Sequence, residues 1–206
     1  TRYKLGDNSP LLFKTEDYGE QWKVINGNLP GDDFTRCIRE DPIKAGMLYA
    51  GTETRLYVSF DDGITWQELK GNGGVGKGSL PIVPIYDIAI KEDDMIVATH
   101  GRSFWILDDL TQLRQLPEIE GIDSPNILQP RDTIRITAPL RNRKAARGKN
   151  YQLSLGAAVT YTEDKNTYGE VERTFLDAGQ NPPAGVLLNY FLPEQTFYIP
   201  RRCAQL

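Results

Sequence analysis

The sequence is poor in the residues that build disulfide frameworks, metal centres and membrane spans. It contains two cysteines and one histidine among 206 residues. Two cysteines make neither a disulfide framework nor a zinc site, and the pairing of Cys37 with Cys203 depends on a fold that brings them together. No apolar run reaches the ~18 residues of a membrane-spanning helix. The sequence therefore predicts no metal, no cofactor and no membrane span, and it leaves the redox compartment open.

An excess of positive charge is also missing, since the net charge is −4. Nucleic-acid-binding chains usually carry a basic surface, so nucleic acid is not an expected partner. One stretch departs from this balance, because residues 131–149 hold seven cations and one anion. No aromatic residue is interleaved there for base stacking. We interpret this stretch as a solvated loop, with an anion-binding patch as the alternative.

The residues of short strands and turns are abundant, with 19 Gly, 13 Pro and 10 Tyr. A turn-like pattern occurs twice, as TEDYGEQW and SFDDGITW, at a constant offset of 44 residues. A hydroxyl residue, an aspartate, a glycine and a tryptophan recur in it: Thr15, Asp17, Gly19 and Trp22 in the first copy, and Ser59, Asp61, Gly63 and Trp66 in the second, which also contains Thr65. An Asp in a turn accepts hydrogen bonds from backbone amides, and Gly adopts left-handed backbone angles. We therefore predict structural roles for these residues, with the three tryptophans, Trp105 included, in the core.

A third unit aligns with the second at an offset of 48 residues, so that Leu56, Tyr57 and Val58 fall on Phe104, Trp105 and Ile106. Its predicted strands are YDIAI, MIVATH, SFWILDD and LRQL. A period of 40–50 residues with several short strands per unit is typical of β-propeller blades. The prediction is an all-β chain with a partial β-propeller of about two and a half four-stranded blades, followed by an irregular or β C-terminal region.

SFDDGITW resembles the Asp-box, or BNR repeat, of sialidase-like and sortilin-like β-propellers, and TEDYGEQW is a weaker copy with Gln21 in place of the usual Thr. MIVATHGRSFWILDDLTQLRQL is similar to the closing blade of the sortilin-like group of bacterial BNR-repeat proteins. The resemblance covers roughly residues 10–116. Many members of this group are exported and are labelled glycosyl hydrolases on repeat content alone. The resemblance therefore implies a secreted or periplasmic protein.

The resemblance also implies the C-terminal part of a propeller plus a linker, in a definite order. The expected segments are propeller blades at 1–116 (with Asp-boxes at 15–22 and 59–66 and a closing-type blade at 85–116), a linker or irregular region with extra strands at 117–185, and an incomplete immunoglobulin-like domain or a returning strand at 186–206. So few blades leave sheet edges open. We expect upstream blades, a partner chain such as a second copy, or residues 117–200 folding back as strands.

Candidate ligand-binding residues lie in strand-end loops, where propellers bind their partners. His100 and Arg102 follow a predicted strand in THGRSFW, and Glu53 lies on the equivalent loop of the preceding unit. An arginine there suits a carboxylate or phosphate ligand. The alternatives are a turn histidine bonded to the backbone and an Arg102 that pairs with Asp108 or Asp109.

We predict a non-enzymatic binding or scaffolding module for an unidentified protein, peptide or glycan. The alternative is a fragment of a glycoside hydrolase or sialidase-like enzyme whose catalytic residues lie largely outside this chain, and no catalytic residue is assigned within it. The loop LKGNGGVGKGSLP (69–81) approaches a phosphate-binding pattern, but Gly78 stands where Ser or Thr is needed. An extended proline-containing segment follows instead of a helix. We interpret the loop as a connection between blades. Cys37 alternates with Ile38 in a predicted strand and is interpreted as a small buried hydrophobe.

Overall fold

The computed structural model describes residues 1–70, 79–134, 144–154, 157–176 and 185–193. Its elements are short strands, one α-helix and a 3-10 turn at Tyr3–Leu5: β1 (Phe13–Lys14), β2 (Lys23–Val24), β3 (Thr35–Glu40), β4 (Leu48–Thr52), β5 (Leu56–Ser59), β6 (Gln67–Glu68), β7 (Ile85–Lys91), β8 (Asp94–Thr99), β9 (Phe104–Leu107), α1 (Thr111–Ile119), β10 (Asn126–Ile127), β11 (Asn150–Ser154), β12 (Ala157–Lys165), β13 (Val171–Phe175) and β14 (Tyr190–Phe191). The prediction of an all-β chain is confirmed. The described strands form several antiparallel sheets, and none of these closes on itself.

The chain divides into two compact units, Thr1–Arg131 with Leu188–Leu206, and Asp132–Leu187. In the first unit, β3 to β6 form a four-stranded antiparallel meander in chain order. Every residue of β4 and β5 is buried, because both faces of this sheet are covered. The hairpin of β1 and β2 precedes this sheet, and the meander of β7, β8 and β9 follows it.

Two apolar cores join these three sheets in sequence. One core lies between the β1–β2 hairpin and the four-stranded sheet, where Leu12 and Ile25 pack with Tyr57 and Trp66. The other lies between the four-stranded sheet and β7–β9, and it contains residues such as Tyr49, Val58, Ile85, Ile88 and Val97. Burial of these apolar side chains is the main force that holds consecutive sheets together.

The predicted strand LRQL (113–116) is wrong, because these residues lie in helix α1. Leu110 and Leu113 are three residues apart and both pack on the second core, which is the spacing of one helix face. Gln, Arg and Leu are also good helix formers. The amide of Thr111 donates to Asp109 Oδ1 at 3.1 Å at the start of the helix. A helix therefore follows β9, and the third sheet has three strands among the described residues.

Later segments contribute smaller sheets. In the first unit, β14 pairs antiparallel with β10. In the second unit, β11, β12 and β13 form an antiparallel meander in which Arg173 Nε donates to the buried Glu163 at 3.0 Å. None of the described residues lies in a helix long and apolar enough to cross a membrane. Residues 71–78 of the glycine-rich loop, residues 135–143 of the basic stretch, and Cys203 lie outside the described residues.

Candidate functional site

Matched irregularities occur in the first strands of two consecutive sheets. The pairing of β3 with β4 shifts between Thr35 and Cys37, and the pairing of β7 with β8 shifts between Ile85 and Asp87. Arg36 is therefore the extra residue of one bulge and Tyr86 that of the other. A bulge re-aims a side chain, and bulges are frequent beside binding sites. Here the Arg36 Cζ atom lies 4.3 Å from the centroid of the Tyr86 ring.

The Arg36 guanidinium is held on several sides. It lies 4.9 Å from the Phe34 ring centroid and 5.7 Å from that of Tyr3, and these two rings stack with their centroids 4.5 Å apart. Its Nε atom donates to Glu53 Oε2 at 2.5 Å. Cation–π contacts and a charge-assisted hydrogen bond together fix the planar guanidinium in one orientation.

Two of the three predicted ligand residues join this arrangement. Glu53 is the ion-pair partner of Arg36, and the His100 ring stacks on Tyr86 with a centroid distance of 4.9 Å. The His100 amide also donates to Pro84 O at 2.9 Å. We name Arg36, Glu53, Tyr86 and His100 the bulge cluster.

Arg102 lies outside the bulge cluster. It is exposed, and its carbonyl accepts a hydrogen bond from Trp105 Nε1 at 3.0 Å. The side chain of Arg102 pairs with neither Asp108 nor Asp109 among the described contacts; Asp109 accepts hydrogen bonds from Thr111 and Gln112. The structure thus connects Glu53 and His100 through the Arg36–Tyr86 pair and leaves Arg102 apart.

An open groove of about 570 Å³ lies beside the bulge cluster, along β3 and β7 and against Thr1, Leu11 and Leu12. Its lining includes Arg36, Arg39, Tyr86 and Asp87. Arg39 Nη2 donates to Asp87 Oδ1 at 2.5 Å, so the two strands are also joined by an ion pair. β3 and β7 are each the first strand of a sheet, and among the described strands each pairs on one side only. The groove therefore presents both signs of charge, an aromatic ring and strand edges to a ligand.

Cys37 also lines the groove but is not a reactive thiol. Burial raises the pKa of its thiol to about 11, and its Sγ lies 3.8 Å from Ile85 O. Thiolate is the nucleophilic form, so a raised pKa makes the residue inert near neutral pH. Cys37 is a free cysteine in the structure, and it packs against the second core.

The two repeated turns, at 15–22 and 59–66, share one hydrogen-bond pattern. In the second copy, the Gly63 amide donates to Ser59 Oγ at 2.9 Å, and the Thr65 amide donates to Asp61 Oδ1 at 2.8 Å. In the first copy the corresponding bonds are from Gly19 to Thr15 (2.8 Å) and from Gln21 to Asp17 (2.9 Å). Each turn contains two consecutive residues with positive φ, Tyr18 and Gly19 in one and Asp62 and Gly63 in the other.

The Asp17 and Asp61 carboxylates accept hydrogen bonds within their own turns. Burial raises the pKa of Asp61, but hydrogen bonds from Thr65 and Ser59 outweigh it, and the pKa falls below its ordinary value. The backbone amide of Gln21 is the main cause of the lowered pKa of Asp17. A carboxylate saturated by hydrogen bonds in its own turn is poorly placed for catalysis. Among the described residues, no cluster of three or more His, Cys, Asp or Glu side chains could hold a metal ion.

The prediction that all three tryptophans lie in the core fails at Trp22. Trp66 is 3% exposed and its indole N–H donates to Ile25 O at 2.9 Å, across to the preceding hairpin. Trp22 is 61% exposed and its indole N–H donates to Gly19 O of its own turn at 3.1 Å. Among the described residues, no apolar face covers Trp22 as the hairpin covers Trp66. Trp105 is half-buried and packs against the second core.

Sequence reasoning missed Arg36 and Tyr86, which centre the cluster. The two bulges lie 50 residues apart, whereas the later strands of the two units align at 48. A comparison at a single offset therefore does not place Arg36 over Tyr86. The signal that could find them is a separate alignment of the first strands, RCIRE with YDIAI.

Comparison of the chain with models of protein families, with characterised proteins and with solved structures gives no match. The function must therefore be argued from the geometry of the bulge cluster, the groove and the repeated turns.

Proposed function

We propose that this chain is part of a β-propeller that serves as a non-enzymatic binding or scaffolding module. Three consecutive antiparallel sheets stacked through apolar cores, together with two Asp-box-like turns that share a hydrogen-bond pattern, support a propeller over other all-β folds. The ligand is a protein, a peptide or a glycan. It binds in the groove between β3 and β7.

The observation that carries this proposal is the Arg36–Tyr86 pair on matched bulges. The Arg36 guanidinium lies over the Tyr86 ring. Glu53 pairs with Arg36 and His100 stacks on Tyr86, and these contacts fix both side chains in position. A rigid aromatic ring beside fixed charges favours binding with little loss of side-chain entropy. Tyr86 is half-exposed and so remains available to a ligand. A polar ligand suits this lining, because more of its exposed surface is polar than apolar.

The experiment first selects ligands and then locates them. Peptides from a display library and glycans from an array are selected on the chain, and hydrogen exchange is measured with and without the selected ligand. We expect slower exchange of amides in β3, β7 and the 99–103 loop. Protection confined to other strands would contradict the groove as the site. Hydrolysis of a bound glycoside would contradict the non-enzymatic role.

A further inference from the structure

The outer face of the β1–β2 hairpin carries three exposed apolar side chains. Phe13 and Val24 are directly paired across the hairpin, and Trp22 precedes Val24 by two residues on the same face. Lys14, which alternates with Phe13, points the other way and donates to Asp62 at 2.6 Å. We name Phe13, Trp22 and Val24 the hairpin face.

In the next repeat, residues equivalent to two members of the hairpin face are buried. Tyr57 and Trp66 stand 44 residues after Phe13 and Trp22, and both are buried. They pack against Leu12 and Ile25 of the preceding hairpin. The positions equivalent to Phe13 and Trp22 are thus covered in the next repeat.

The opposite end of the stack has a second bare face. Phe104 is 72% exposed and Ile106 is 61% exposed on β9, whereas the alternating residues Trp105 and Leu107 pack inward on the core. Leu56 and Val58 stand 48 residues earlier and are buried beneath the β7–β9 sheet. We name Phe104 and Ile106 the β9 face.

The two bare faces are complementary in kind. Within the chain, each sheet packs one face, the forward face, on the following sheet; this face contains Leu12 in the hairpin and Val58 in the four-stranded sheet. The receiving face of the four-stranded sheet contains Tyr57 and Trp66. The β9 face corresponds to a forward face and the hairpin face to a receiving face. Exposed apolar patches of this kind usually mark interaction surfaces.

We propose that the hairpin face of one copy of this chain binds the β9 face of a second copy, which continues the stacking of sheets between molecules. The contact is heterologous, because two different surfaces meet. In such a dimer one copy still has a free β9 face and the other a free hairpin face, so further copies can add as the concentration rises.

The test is sedimentation velocity from about 1 to about 200 µM, where mass action reveals association. The wild-type chain is expected to shift to larger species as its concentration rises. Trp22→Glu and Phe104→Glu are each expected to remain monomeric, since a charge on either face prevents burial. Ile127→Glu is the matched control, because Ile127 is an exposed aliphatic residue of β10 outside both faces, and it should associate like the wild type.

The decisive arm mixes the two defective variants. Trp22→Glu keeps an intact β9 face and Phe104→Glu keeps an intact hairpin face, so an equimolar mixture should form 1:1 dimers. Circular dichroism shows that each variant is folded before mixing. A wild-type chain that stays monomeric throughout, or a mixture of folded variants without dimers, would overturn the proposal. So would self-association of either variant alone at the wild-type level.

Discussion

At the scale of single residues, the buried guanidinium of Arg114 is held by two carboxylates. Its Nε atom lies 3.0 Å from both oxygens of Asp41, and its Nη1 donates to Asp93 at 2.6 Å. Asp41 also accepts hydrogen bonds from the Lys44 amide and the Tyr49 hydroxyl, each at 2.9 Å. Arg114 thereby ties helix α1 to the loop after β3 and the turn before β8.

Replacement of Arg114 by Ala should destabilise the protein strongly. The buried Asp41 carboxylate would lose its cation, and breaking a buried ion pair in this way costs about 3–5 kcal/mol. Arg102→Ala is the control, because Arg102 is exposed, and its effect should stay within about 0.5 kcal/mol. Urea unfolding of both variants measures the difference. Equal stabilities would show that Arg114 does not anchor the helix.

Asp41 also makes stability depend on pH. Burial raises the pKa of its carboxyl, but hydrogen bonds from the amides of Lys44 and Ile43, from Tyr49 and from Arg114 outweigh burial, and the pKa lies below 3.8. The folded state then holds the proton less tightly than the unfolded chain does. The stabilisation is therefore complete above pH ~4 and disappears as the pH falls through the lower folded pKa.

The matched variant for this effect is Asp41→Asn. Other carboxylates titrate in both proteins, so both should lose stability between about pH 5 and pH 2. The wild type should lose more free energy of unfolding, because only it has the Asp41 carboxyl. Urea unfolding at several pH values measures the two slopes. Parallel pH profiles would contradict a lowered pKa at Asp41.

Side-chain hydrogen bonds can be predicted from the sequence where the two partners are close along the chain. The hydrogen bonds that Ser59 and Asp61 accept from amides four residues on lie within the repeated turn, where the local sequence predicts bonds of this kind. Arg114 and Asp41 pair across 73 residues of sequence, and no local sequence pattern predicts this pair. Trp22 and Trp66 occupy the same position of the repeated turn. Their burial differs because it depends on what packs against each of them.

At the scale of elements, the predicted strands YDIAI, MIVATH and SFWILDD match β7, β8 and β9. The sequence does not predict helix α1, because a four-residue segment such as LRQL fits both the helical and the strand period of apolar residues. Its place at the end of a repeated unit of strands favours a strand there. The bulges at Arg36 and Tyr86 were also missed, since a bulge depends on pairing between strands. These bulges belong to the two strands that come closest together across the groove.

Gly51 allows that close approach. A Cβ atom at Gly51 would lie 2.6 Å from Ile85 Cγ2 and 2.7 Å from Cys37 Sγ. Gly51→Ala should therefore destabilise the protein by about 1–3 kcal/mol through overpacking. Gly31→Ala is the control, because nothing lies within 4 Å of a Cβ atom there. Thermal unfolding compares them, and an unchanged Gly51→Ala would show that the two sheets can separate freely.

At the scale of the whole molecule, the sequence predicts the order of the strands but not the place where they form a site. Glu53 and His100 were chosen as equivalent loop residues, and each contacts one member of the Arg36–Tyr86 pair. That pair exists only because β3 and β7 lie side by side. The sheet stack therefore creates the groove on which the proposed binding function depends.

The most direct test of the account is the affinity of a selected peptide or glycan for Tyr86→Ala, measured by calorimetry against wild type. Tyr168→Ala is the matched control, because Tyr168 is an exposed tyrosine of the second compact unit. We expect Tyr86→Ala to lose at least about tenfold in affinity, or about 1.4 kcal/mol, and Tyr168→Ala to lose nothing. Equal affinities of wild type, Tyr86→Ala and Tyr168→Ala would contradict a ligand site in the groove between β3 and β7.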